Sequence, residues 1–178
     1  METRFLKDMG DVFKNSQGLN DNPPLYYMYR GVKEENGLRY DITVIPPRMI
    51  NDEFVKTKGH YHSTNHGELY IVLKGQGIFL MQKETDAYFV KASQGQAIII
   101  KPSYAHITIN PDSENVLEMA NWISPQCESN YQTIQENKGA YYYYTLNGWV
   151  KNQNYKQVPE LREEEPLNEI PKDLTFLK

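Results

Sequence analysis

The stretch Gly59-His60-Tyr61-His62-Ser63-Thr64-Asn65-His66-Gly67-Glu68-Leu69-Tyr70 is the most informative part of the chain. His60 and His62 are two residues apart, so on a β-strand both imidazoles project from the same face. Glu68 begins the next apolar run, and a hairpin turn between the two runs brings its carboxylate beside the imidazoles. We expect His66 to lie at the tip of this hairpin as a solvated residue and not as a metal ligand.

A further histidine lies downstream, in Lys101-Pro102-Ser103-Tyr104-Ala105-His106, where it opens another apolar run. The four residues His60, His62, Glu68 and His106 supply three imidazoles and one carboxylate. This donor set leaves open positions on a divalent transition metal, which suits a catalytic site better than a closed structural one. The sequence does not choose among Fe, Mn, Ni, Co and Zn.

Short apolar runs continue on both sides of this stretch at even spacing. They cover residues 25–32, 38–45, 53–58, 68–73, 77–81, 87–90, 97–100, 106–109 and 116–123. Turn formers such as Glu35-Asn36-Gly37 separate them, and no helical periodicity intervenes. The pattern predicts an all-β antiparallel barrel or sandwich.

A tyrosine-rich hairpin is predicted after this series. Residues 141–144 and 148–150 are joined by Leu146-Asn147, with Gly148 next in the chain. Because side chains alternate along a strand, we expect half of the rings at 141–144 to pack and half to face solvent or a partner subunit.

The chain divides into an arm, one domain and a tail. Residues 1–24 form an N-terminal arm over the surface, with one or two amphipathic helical turns, and residues 25–158 form the β-barrel domain with its flanking strands. Residues 159–178 combine prolines with the acidic run Glu163-Glu164-Glu165, so we expect a solvated or loosely docked tail.

Composition excludes several classes of protein. The 178 residues suit one domain, and 19 basic against 23 acidic residues, a net charge of -4, argue against a nucleic-acid binder. A single cysteine, Cys127, rules out an internal disulfide and fits a reducing cytoplasm. No apolar run is long enough for a membrane span, and the first residues have no secretory pattern, so we expect neither membrane association nor export.

Two motifs resemble those of the cupin family. His60, His62, Glu68 and Gly75 match its first motif, and Gly95, Pro102, His106 and Asn110 match its second. Within the cupins, Thr57-Lys58-Gly59-His60-Tyr61-His62, Glu68-Leu69-Tyr70 and Pro102-Ser103-Tyr104-Ala105-His106 resemble the archaeal-type glucose-6-phosphate isomerases. The resemblance implies a cupin fold, the double-stranded β-helix or jelly-roll barrel.

The same resemblance implies a function. Members are metal-dependent and usually homodimeric, and they interconvert glucose 6-phosphate and fructose 6-phosphate, a step of glycolysis and gluconeogenesis. It assigns His60, His62, Glu68 and His106 as the metal ligands. It places Thr43, Thr57 and Gly59 at the substrate phosphate, Tyr70 in the sugar pocket and Tyr131 near its mouth. A phosphate dianion can be held by hydroxyls and backbone N–H groups beside a glycine. Glu68 and Tyr70 are the candidate catalytic residues, Glu68 as a base or as a ligand only.

Two departures from the family pattern affect the substrate pocket. Ser124 stands where the family usually has a tyrosine, and Glu128-Ser129-Asn130-Tyr131 stands where it usually has Gly-His-Asp-Tyr. The missing histidine belongs to the sugar-phosphate site. Two alternatives therefore stay open: a cupin oxygenase that uses the same donor set, and a binding protein that recognises a sugar or sugar phosphate without turnover.

Overall fold

Sixteen short strands carry the fold, and the computed structural model describes them together with all of residues 1–178. In chain order they are β1 (Glu2–Phe5), β2 (Pro24–Glu35), β3 (Leu38–Ile45), β4 (Met49–Ile50), β5 (Glu53–Phe54), β6 (Tyr61–His62), β7 (Glu68–Lys74), β8 (Gln76–Lys83), β9 (Asp86–Ser93), β10 (Ala97–Ile100), β11 (Ala105–Ile109), β12 (Leu117–Ile123), β13 (Ser129–Asn130), β14 (Tyr142–Thr145), β15 (Gly148–Lys151) and β16 (Leu161–Glu164). The helical elements are α1 (Gln132–Glu136) and the 3-10 turns Leu6–Asp8, Gly10–Val12 and Thr175–Leu177. None of these is long and apolar enough to cross a lipid bilayer.

Two sheets form the walls of the barrel. The larger sheet has the order β1-β2-β3-β12-β7-β10, and the facing sheet has the order β11-β8-β9-β16. Two smaller sheets, β13-β6 and β15-β14-β5-β4, lie beside them. Strands far apart in the chain are neighbours, as where β3 pairs with β12. This interleaved antiparallel arrangement confirms the all-β cupin fold.

The pattern of polar and apolar residues in each strand reflects whether one or both of its faces are buried. Strand β3 pairs with β12 in a regular register from Arg39, opposite Ile123, to Ile45, opposite Leu117, so alternate side chains of both strands enter the barrel. Strand β8 is instead apolar almost throughout, and Phe79, Leu80 and Met81 are all fully buried. Both of its faces are covered, which removes the need for polar residues on one side.

The N-terminal arm is fastened to the barrel by backbone pairing and by a buried carboxylate. Strand β1 pairs antiparallel with β2, and the 3-10 turns after it bury Leu6 and Val12. Glu53, fully buried, accepts the backbone N–H of Lys14 at 2.7 Å and pairs with the ammonium of Lys56. Burying a carboxylate is costly without such partners, so Glu53 requires both of them.

The tail at 159–178 is more ordered than expected from its composition. Strand β16 runs parallel to β9, where Leu161 lies opposite Ala87 and Glu164 opposite Val90. An exposed edge strand offers unpaired N–H and C=O groups, and the tail satisfies those of β9. Leu177, one residue from the end of the chain, is fully buried. The tail is thus attached to the barrel through β16 and Leu177, while most of its other residues are exposed.

Candidate metal centre and cavity

Three separate segments bring the candidate ligands together. The chain entering β6 runs antiparallel to β11, so that His106 N–H donates to the carbonyl of His60 at 3.1 Å. His62 lies in β6, and Glu68 is the first residue of β7. These pairings bring the side chains of all four residues to one end of the barrel interior.

The four side chains form a compact cluster. One ligand atom from each of His60, His62, Glu68 and His106 lies within 4.8 Å of the others, a spacing that could hold a metal ion. Glu68 Oε2 is 3.3 Å from His62 Nε2 and 3.2 Å from His106 Nε2. His62, Glu68 and His106 are buried, while His60 is half-buried and lines the cavity.

Two of these ligand atoms have no hydrogen-bond partner. His62 Nε2 and Glu68 Oε2 are both buried and unpaired. Leaving buried polar atoms unpaired costs about 1–3 kcal/mol each, so such atoms call for an explanation. A metal ion bound by both atoms would remove this cost, and the donor set matches what a transition metal prefers.

Neighbouring groups fix the orientation of the ligands. His62 Nδ1 is 2.9 Å from the carbonyl oxygen of His66, which can only accept, so Nδ1 carries a proton and Nε2 is the nitrogen that faces the cluster. Asn121 Nδ2 donates to Glu68 Oε1 at 2.6 Å and turns Oε2 toward the imidazoles. Such supporting contacts are typical of metal sites. Sequence reasoning missed Asn121, although a polar residue inside the mostly apolar run 117–123 is a signal that could have found it.

His66, which was not expected to be a metal ligand, lies outside the cluster. The half-buried ring of His66 contacts Thr64 Oγ1 at 2.7 Å. Only its backbone carbonyl faces His62.

Within the cluster, positive charge is stabilised at His62. Burial would raise the pKa of Glu68, but the imidazoles of His106 and His62 outweigh it and hold that pKa below its usual range. Burial also lowers the pKa values of His60 and His106, which keeps both rings neutral. Burial alone would lower the pKa of His62 too, but Cys127 and Glu68 raise it to about 10. A proton or a metal cation at His62 is therefore favoured by Glu68.

One cavity adjoins the cluster and contains the other candidate site residues. Thr43, Thr57, Gly59, Tyr70 and Tyr131 all line it. The Tyr131 ring lies 5.2 Å from the ring of His60, between ring centres. Tyr70 Oη is 3.5 Å from His106 Nε2, and burial raises the pKa of this phenol well above its usual value, so it stays protonated and can donate.

Glycine at position 59 is required by the packing of the chain, in addition to the phosphate contact that the sequence analysis expected. Its φ of +80° favours glycine, and a Cβ here would lie 2.4 Å from Ile107 Cγ1. The missing side chain therefore allows close packing against β11. Thr57 Oγ1, two residues earlier, accepts the N–H of Thr108 at 3.0 Å and keeps its own hydroxyl proton available.

The cavity also holds charged residues that sequence reasoning did not select. Arg30 and Arg39, from β2 and β3, line the cavity, and so does Lys58. Of the two departures from the family pattern, Ser129 lines the cavity, whereas Ser124 is buried and accepts the N–H of Gln126 at 3.4 Å.

Known proteins resemble this chain in sequence and in fold. The family model described as glucose-6-phosphate isomerase (GPI) matches residues 6–160. The chain is 33% identical over 125 residues to a glucose-6-phosphate isomerase of Thermococcus gammatolerans, and this alignment covers 66% of each chain. It is 31% identical over 157 residues to that of Pyrococcus furiosus, covering 83% of this chain and 82% of the relative.

Among solved structures, a recombinant oxalate oxidase in complex with glycolate superimposes with a TM-score of 0.51 at 12% identity, covering 68% of this chain and 64% of the other. At that identity the similarity concerns the fold alone. The family model spans most of the chain, and the archaeal relatives share nearly a third of the aligned residues. The chain therefore belongs to the glucose-6-phosphate isomerase family, in its cupin-type archaeal form.

Proposed function

We propose that the chain is a metal-dependent aldose–ketose isomerase that interconverts glucose 6-phosphate and fructose 6-phosphate. The observation that carries this proposal is the cluster of His60, His62, Glu68 and His106, because it borders a cavity that also contains Thr43 and Thr57. A metal at the cluster and a phosphate beside the threonines would place the sugar between them. Membership of the isomerase family supports the reaction.

One divalent transition metal, Fe, Mn, Ni, Co or Zn, would be held by the three imidazoles and by Glu68 Oε2. The buried and unpaired Nε2 of His62 and Oε2 of Glu68 fit this assignment. When bound, the metal would polarise the oxygens at C1 and C2 of the sugar as a Lewis acid.

The phosphate of the substrate would lie at the end of the cavity formed by Thr43, Thr57 and Gly59. The Thr57 hydroxyl has a proton to donate, since its oxygen already accepts the Thr108 N–H. Lys58 lines the same cavity and would add positive charge, although its ammonium also donates to the Asp8 carbonyl at 2.9 Å. Tyr131 would close the mouth above His60.

Glu68 and Tyr70 would act on the reacting carbons. Tyr70 is a protonated donor beside the cluster and would hydrogen-bond a sugar oxygen. Glu68 would either move the proton between C1 and C2 or serve as a ligand while hydrogen shifts directly as hydride. Asn121 occupies one lone pair of Glu68 Oε1, so a base role would use the remaining ones.

We extend the proposal to a cytoplasmic location, in keeping with the single free cysteine, Cys127, and to a homodimer, which the family resemblance implies. Sedimentation or light scattering of the purified protein would show a dimer, and a monomer at micromolar concentration would contradict that part.

The deciding experiment combines metal analysis with a coupled assay for the conversion of fructose 6-phosphate to glucose 6-phosphate, after reconstitution with Fe, Mn, Ni, Co or Zn. We expect turnover with at least one metal and none after chelation. Oxygen consumption would instead identify a cupin oxygenase. Tight sugar-phosphate binding without turnover would identify a binding protein. The feature that favours this outcome is Ser129, which lines the cavity where the family usually has a histidine.

A further inference from the structure

A bulge in β2 turns an arginine into the cavity. Tyr29 lies opposite Ile42 and Lys33 opposite Tyr40, so three residues of β2 face the single residue Asp41 of β3. Gly31, at the centre of the bulge, has a φ of +61°. Its N–H donates to Asp41 Oδ1 at 2.7 Å. Bulges of this kind re-aim side chains at functional sites, and this one brings Arg30 to the same wall as Arg39.

Both arginines share one carboxylate. Arg39 binds Asp41 through Nε at 2.9 Å and Nη2 at 2.9 Å, and Arg30 binds it through Nη1 at 3.0 Å. Asp41 is 1% exposed, whereas the side chains of Arg30 and Arg39 are 40% and 27% exposed. Two guanidinium groups thus share one buried carboxylate on the cavity wall, and Glu2 is a further negative neighbour of Arg30.

Donors remain free on this pair. Arg30 Nη2 has only the sulfur of Met28 at 3.4 Å, and Arg39 Nη1 has no hydrogen-bond partner. Asp41 holds both planes in place, so the remaining N–H groups are preorganised for an oxyanion, which arginine binds well.

The pair is well separated from the proposed phosphate position. Arg39 and Thr43 lie on the same face of β3, four residues apart, which corresponds to about 13 Å along the strand. Arg39 is opposite Ile123, and Ile123 is opposite Glu68, so Arg39 and the cluster residue Glu68 lie in one row across three strands. A sugar with its phosphate at Thr43 and its reacting end near the metal would point that end toward this row.

We propose that Arg30 and Arg39 form a second anion site, which binds the C1 phosphate of a sugar bisphosphate whose other phosphate lies at Thr43 and Thr57. This proposal rests on the proposed function for the position of the first phosphate. It assigns the cavity a second class of ligand, sugars with an anion at each end, which would compete with the monophosphate substrate.

The test compares the binding of fructose 1,6-bisphosphate and fructose 6-phosphate to the purified protein by isothermal titration calorimetry. The two ligands differ only in the C1 phosphate. Charge-assisted hydrogen bonds imply a preference of about 10- to 100-fold for the bisphosphate. In Arg30→Gln and Arg39→Gln this preference should fall toward one, while the dissociation constant of fructose 6-phosphate should change less than about twofold. Arg48→Gln makes the same charge change at an exposed position and should retain the preference.

Three results would overturn the second site: no preference in the parent protein, a preference that persists in both arginine variants, or an equal loss of both ligands. The last result would mean that the arginines hold the single phosphate. Arg39→Lys, which keeps the charge next to Asp41, guards against misfolding and should retain part of the preference. None of these outcomes depends on turnover, so failure of the isomerase assay would be recognised separately.

Discussion

Asn121 Nδ2 donates to Glu68 Oε1 at 2.6 Å, and this bond decides which oxygen of the carboxylate faces the three imidazoles. The two residues are 53 positions apart in the chain and meet because β12 lies next to β7, with Asn121 opposite Tyr70 and Ile123 opposite Glu68. Glu68 Oε2 is thereby left toward His62 and His106. The contact links the cluster of candidate ligands to the middle of the larger sheet.

Asn121→Leu keeps a similar volume but removes the donor to Glu68. We expect the dissociation constant for the bound metal to rise about 10- to 100-fold, the usual effect of losing a group that orients a ligand. Titration with Mn²⁺ followed by calorimetry measures this directly. Asn20→Leu, at an exposed asparagine, is the control. Unchanged metal affinity in Asn121→Leu would show that Glu68 is held by other contacts.

Removal of single imidazoles should separate ligands from neighbours. His60→Ala, His62→Ala and His106→Ala should each abolish metal retention through dialysis. His66→Ala should retain the metal, because the backbone carbonyl that orients His62 remains and the lost ring contacts only Thr64. Metal content by mass spectrometry measures the result. Equal loss in His66→Ala would place its ring in the cluster.

Thr43→Val and Thr57→Val should raise KM for the sugar phosphate with little effect on metal content. Each removes a hydroxyl whose contact to the phosphate persists through the reaction, so binding should suffer more than kcat. Thr57→Val should also cost about 1–3 kcal/mol of stability, because the Thr108 N–H loses its acceptor. Steady-state kinetics and thermal melting distinguish the two effects. A parental KM in both variants would move the phosphate elsewhere.

Glu68→Gln keeps the shape of the side chain and removes its charge and basicity. If Glu68 transfers the proton, metal-replete Glu68→Gln should lose about 10²- to 10⁴-fold in kcat. The parent enzyme should then incorporate solvent deuterium at C1 or C2, detected by NMR of the product. Near-parental turnover of the metal-replete variant, with no deuterium in the product of the parent, would leave Glu68 as a ligand only.

The end of the chain should contribute to stability. Leu177 is fully buried in a cluster with Leu38, Leu69 and Trp122. Leu177→Ala should therefore lower the free energy of unfolding by about 2–5 kcal/mol, measured in urea. Phe176→Ala is the matched control, since that side chain is 46% exposed and should cost less than about 1 kcal/mol. Equal, small effects would mean that the tail is dispensable.

Much of the barrel could be read from the sequence. Strands β3 and β10 cover 38–45 and 97–100 as expected, because alternation and turn-forming residues act over a few positions. Spacing likewise indicated the candidate ligands: His60 and His62, two positions apart, share a face, and Glu68 follows after a short loop. These properties are local, so one sequence is sufficient to find them. The expected hairpin is wrong, because β6 pairs with β13 whereas β7 pairs with β10 and β12.

The tertiary structure decided what covers each face and which distant residues meet. Alternation predicted two outward rings at 141–144, yet Tyr141, Tyr142 and Tyr143 are all buried. The acidic run of the tail became β16 because β9 had a free edge. The contact of Asn121 with Glu68 and the sharing of Asp41 by Arg30 and Arg39 depend on strand order, bulge position and register. These are set by burial over the whole chain, and no short segment encodes them.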